Sequence, residues 1–201
     1  MNNRQTLDSD HSAVSRPVPW RLIGWSIPVA LLLLPLIAMQ FTSEVDWDLP
    51  DFLIMGTLMA MVGGGIELAV KLSKNIRYRL AAVLALLSGF LLMWVNMAVG
   101  IIGDGDLPVD LPYFLVMLGG VVGIVASRFR PAGLAVTLYL MVAALVLIAV
   151  GVIVTGSLPP YATGKDVLGI TGFFATLFLV SALLFRQAAR DEQAEVAHHD
   201  H

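Results

Sequence analysis

Six apolar blocks leave this chain few folds: residues 22–41, 50–72, 78–102, 111–127, 131–155 and 167–185. An α-helix rises 1.5 Å per residue, so roughly 20 apolar residues cover a hydrocarbon core about 30 Å thick. Lipid offers no hydrogen bonds, so a lone spanning segment must satisfy its own backbone, and these blocks read as helices. Composition agrees. The chain is 58% hydrophobic and 13% charged, against about 25% charged in soluble domains. The expected fold is an all-α integral membrane protein, one six-helix domain over residues 20–187. Polar stretches at 1–19 and 188–201 lack apolar periodicity and are expected to be disordered tails. The first block exceeds the 7–15 residues of a signal-peptide core and no small-residue cleavage site follows, so it reads as a retained helix. Pro28 and Pro35 should kink it.

Charge orients the helices. Arg4, Arg16 and Arg21 precede the first block; Lys71, Lys74, Arg77 and Arg79 join the second to the third. Arg128 and Arg130 join the fourth to the fifth, and Arg186 and Arg190 follow the sixth. Only Lys165 falls on the other side. The positive-inside rule makes the basic side cytoplasmic and puts both termini there. The opposite turns hold Glu44, Asp46, Asp48 and Asp51, then Asp104, Asp106 and Asp110, then Asp166. Trp20 and Trp25 mark the inner boundary, and Trp47, Trp94 and Tyr113 the outer one.

A short repeat suggests duplication. The octet DLPDFLIM at 48–55 returns as DLPYFLVM at 110–117. Each copy is expected to start a helix with proline in its first turn, where the missing N–H costs nothing. A basic turn and a long return helix follow each, so helices 2–3 and 4–5 read as a parallel duplication.

Few residues offer chemistry. Glu67 is the one acid well inside an apolar block; it either pairs with Lys71 one turn on or handles protons or substrate. Gly63, Gly64 and Gly65 either break the helix, as in transporters, or let helices approach. Ala60 with Gly64, and Gly119 with Gly123, have the small-xxx-small spacing of packed membrane helices. Gln40 and Asn96 are amides near the outer helix ends, able to bond between helices or, with Asp51, to line an outward-facing pocket. Trp94 lies two positions before Asn96 and points elsewhere.

Gly103, Asp104, Gly105 and Asp106 spell the G-x-G-D of intramembrane aspartyl proteases, but no helix supplies the second buried aspartate that chemistry needs. Asp104, Asp106 and Asp110 lack EF-hand spacing and read as a solvated, cation-attracting rim. There is no cysteine, and the four histidines lie in the tails. No catalytic residue, cofactor or metal site is therefore expected. The basic residues suffice as membrane anchors without a nucleic-acid partner.

The residues MQFT at 39–42, VDW at 45–47, Asp51, Phe52, Gly56, Glu67, Leu68, WVNMAVGIIG at 94–103, Tyr113 and Phe114 form a pattern. It resembles an uncharacterised family of small bacterial multi-pass inner-membrane proteins, over roughly residues 30–155. The resemblance implies a bacterial cytoplasmic membrane and assigns no activity or catalytic residue. Two functions are expected to compete. One is a structural or accessory subunit associating with itself or a membrane partner through small-residue faces. The other is a small transporter or channel for a cation or small solute, using the acidic rim.

Overall fold

The computed structural model describes residues 20–98, 107–158 and 163–199. These form six helices: α1 (Trp20–Ala38), α2 (Leu49–Leu72), α3 (Ile76–Ala98), α4 (Leu107–Ala126), α5 (Pro131–Thr155) and α6 (Gly164–His199). Four of them, α2, α3, α5 and α6, are long and apolar enough to cross a membrane. The described apolar parts of α1 and α4, Gly24–Ala38 and Leu111–Ala126, are shorter. The chain divides into two compact units, Met1–Leu53 and Ile54–His201.

In the first unit, α1 continues through Pro28 and Pro35. The start of α2 is capped reciprocally. The Asp48 N–H donates to Asp51 Oδ2 and the Asp51 N–H to Asp48 Oδ1, each at 3.0 Å. That satisfies two of the backbone donors a helix start leaves open. The Trp47 ring packs edge-on against Phe52, with centroids 5.2 Å apart.

In the second unit, α6 lies between α3 and α5, and α4 packs on α5. Burial follows a 3.5-residue seam. On α5 it takes Leu134, Leu138, Met141, Leu145 and Ala149, whereas Leu140, Leu147 and Val154 are exposed. On α6 it takes Val167, Thr171, Phe174, Phe178, Ser181 and Phe185. This is the spacing of helices packed knobs-into-holes. The α3–α6 seam narrows at Ala81, Ser181 and Ala182, all fully buried, where Ser181 Oγ donates to the Ala81 carbonyl at 2.7 Å. Between α4 and α5, Gly123 admits Thr137: a Cβ at Gly123 would collide with that side chain.

Two expectations change, and one pair of alternatives is decided. The second octet does not start its helix. α4 begins at Leu107, so Pro112 lies inside it, whereas Pro50 is the second residue of α2. Pro108 takes the early position in α4, and the two copies of the octet differ in helical register. The three glycines of α2 do not break it, since the helix runs unbroken to Leu72. Finally, α6 continues to His199 instead of yielding to a disordered tail at 188. Residues 186–199 are rich in Ala, Gln, Glu and Arg, which favour helix without an apolar face. Asp191 ties this extension to the α2–α3 turn, accepting from Asn75 Nδ2 at 3.0 Å and pairing with Arg77.

The α4–α5 turn is backbone-strained. Arg128 and Phe129 both take left-handed conformations, with φ of 50° and 59°, costing non-glycine residues about 1 kcal/mol or more each. Tyr78 Oη holds the turn by donating to the Phe129 carbonyl at 3.0 Å.

The Asn75 hydrogen bond, with Arg77 beside it, holds the Asp191 carboxyl below its usual range. A lowered folded-state pKa stabilises fully above the unfolded value, and the effect is lost as pH falls through the folded one. Acidification should therefore release the α6 extension, seen as a loss of amide hydrogen-exchange protection, relative to the intrinsic rate at each pH, over residues 187–199. Asp191→Ala should show low protection already at neutral pH and little further change in it with pH.

Candidate functional site

The positions proposed from sequence fall on several elements. Asp51 serves the α2 cap. Gln40 is exposed, its amide reaching back to the Leu36 carbonyl at 3.4 Å. Trp94 is half-buried, its ring 5.7 Å from that of Phe90 one turn earlier. Glu67 is half-buried on α2. Arg79 contacts the end of α2 through the Val70 and Ser73 carbonyls, so α2 and α3 run antiparallel. Glu67 thus lies near the depth of Leu84, roughly 18 Å along α3 from Asn96 at 1.5 Å per residue. Asp104 and Asp106 lie outside the described residues, as does the Asp110 side chain; its backbone belongs to α4. Among the described residues no three His, Asp or Glu side chains cluster to hold a metal ion.

Asn96 is different. It is 3% exposed in the interior of the second unit, and among the described residues neither its amide oxygen nor its nitrogen has a hydrogen-bond partner. Thr171 on α6 is 4% exposed, and its hydroxyl is likewise unpartnered. Tyr113 on α4 is 2% exposed. The helix registers bring these residues to one depth. Ala81 meets Ser181 and Tyr78 meets Phe185, so α3 and α6 are antiparallel; Gly89 faces Met117 across α3 and α4. Counting 1.5 Å per residue from those contacts puts Thr171 and Tyr113 within roughly 8 Å of Asn96 along the bundle axis. The three define one buried polar layer.

Burial without a partner costs a polar group about 1–3 kcal/mol. The layer offers amide and hydroxyl groups and carries no formal charge, so it suits water or a small neutral solute better than an ion. Sequence reasoning found Asn96 and missed Thr171. Most hydroxyls within these helices bond back to their own helix: Ser88 to the Leu84 carbonyl, Thr137 to that of Gly133 and Thr176 to that of Gly172. Nothing in the sequence distinguishes Thr171 from them. The same is true of the acid caps, for Asp166 accepts from the Thr163 N–H at 2.9 Å and hydroxyl at 2.6 Å.

No family model, curated protein or solved structure matches the chain.

Replacing both ends of the amide with carbon removes the unpartnered groups at similar volume. Asn96→Leu should raise the stability of the detergent-solubilised protein to chemical unfolding by about 1 kcal/mol. A fall in stability would contradict this and mean that a bound guest satisfies the amide.

Proposed function

We propose that the chain is a six-span protein of a bacterial cytoplasmic membrane, both termini inside, acting as an accessory subunit that associates laterally in the bilayer. The charge asymmetry supports the topology. One observation carries the associative role. A Cβ at Gly64 or Gly119 would meet nothing within 4 Å, whereas one at Gly65, Gly120 or Gly123 would collide with Leu86, Met141 or Thr137. The second set is used by packing inside the protein. The first set, with Ala60 exposed one turn from Gly64, leaves shallow faces where another helix backbone can approach.

Helix association in lipid gains nothing from water release and depends on close packing. Filling those faces should therefore break it. By light scattering in mild detergent, the wild-type chain should run as a complex, and the Gly64→Leu, Gly119→Leu double variant as a single copy with unchanged thermal midpoint. An unchanged mass would overturn the reading. Gly123→Leu should behave in the opposite way, lowering stability by about 1–3 kcal/mol through overpacking against Thr137.

The buried layer at Asn96 and Thr171 favours a second reading, a passage or binding site for a small neutral solute. Asp51 is engaged in the α2 cap, and Glu67 lies at another depth. Flux lost in Asn96→Leu, with the complex intact, would select this reading over the first.

A further inference from the structure

An apolar cavity of 480 Å³ lies among α2, α3, α4, α5 and α6. Leu58, Met93 and Phe114 line one end, and Leu72, Tyr78 and Phe129 the other. From Leu58 to Leu72 the cavity follows α2 for about 21 Å, more than the roughly 15 Å depth of one leaflet's hydrocarbon. Its volume falls in the range of about 300–1,000 Å³ that small ligands take.

The end at Phe129 is basic. Arg128 and Arg130 precede and follow Phe129 in sequence, and Lys71 precedes Leu72; all three cations are exposed and none is in an ion pair among the described residues. The acids of the α6 extension offset this only in part. Asp191 is held by Asn75 and Arg77, leaving Glu192 and Glu195. The strained backbone falls on this same turn. Glycine would adopt the left-handed conformations of residues 128 and 129 without strain, but would provide neither guanidinium nor ring. Tyr78, which lines the cavity, fixes that geometry through the Phe129 carbonyl.

We infer that the cavity seats an acyl chain of one anionic phospholipid, whose phosphate is held by Arg128 and Arg130. Guanidinium matches phosphate oxygens in bidentate geometry. The chain itself gains no hydrophobic energy on leaving the bilayer, because lipid tails are as apolar as the cavity. Headgroup charge therefore decides which lipid stays. The inference does not rest on lateral association, since every lining residue belongs to one chain.

Native mass spectrometry of the full chain in mild detergent tests it, with phosphatidylglycerol and phosphatidylcholine of identical acyl chains as probes. One phosphatidylglycerol should remain per chain, bound at least tenfold more tightly than phosphatidylcholine. The Arg128→Gln, Arg130→Gln double variant, altered only at exposed positions, should lose that preference. Ala85→Phe, which fills the cavity, should retain neither lipid while keeping the wild-type thermal midpoint in lipid-free detergent. Equal retention of the two lipids would overturn the proposal. So would a preference that survives loss of both arginines, or undiminished retention by a folded Ala85→Phe protein.

Discussion

Everything in the second unit depends on how closely α6 can approach α3. In a bilayer the lipid tails are as apolar as the helix surfaces, so no hydrophobic force gathers the helices. Contact distance and a few buried hydrogen bonds take its place. Here Ala81, Ser181 and Ala182 remove the side-chain bulk that would hold α3 and α6 apart, and Ser181 donates to the Ala81 carbonyl. From that point Tyr78 reaches Phe185 and, through its hydroxyl, the α4–α5 turn. α6 then carries α5, and α5 carries α4 through Gly120 and Gly123. A sequence of small-residue contacts thus sets every register on which the polar layer and the cavity rely.

Acidic and basic helix ends use charge differently. Among the acids, part of what sequence presents as a cation-attracting rim serves the helices themselves. Asp48 and Asp51 close the start of α2, and Asp166 that of α6, where negative charge also meets the positive end of the helix dipole. Among the bases some cations are engaged in the same local way, Arg79 with the α2 carbonyls and Arg77 with Asp191. Arg128, Arg130 and Lys71 are not, and each is next in sequence to a residue that lines an apolar cavity. That contrast separates charges that complete the fold from charges left for a ligand.

The helices were legible because apolar length and charged turns are strong local signals; block 131–155 coincides with α5 at both ends. What was not legible depended on partners distant in sequence or on signals weaker than apolarity. The α6 extension has no apolar face, and its anchor at Asn75 is remote in the chain. The octet repeat matched letters while its prolines took different helical positions. The D-x-x-D at 48–51 and T-x-x-D at 163–166 are capping patterns, readable in principle but outweighed by the idea of an acidic rim. Of the buried layer, Asn96 drew notice as an amide near a helix end. Thr171 could not, since whether a hydroxyl bonds to its own helix is a matter of packing.

The most direct test of this account is the unfolding free energy of Ser181 variants in detergent. Ser181→Ala keeps the close approach and loses one buried hydrogen bond, for about 0.5–2 kcal/mol. Ser181→Leu keeps apolarity but forces α6 away from α3, and the account predicts a clearly larger loss, with overpacking alone at about 1–3 kcal/mol and the bond lost as well. If the leucine variant were tolerated as well as the alanine variant, the approach of α6 to α3 would not be what holds the bundle together.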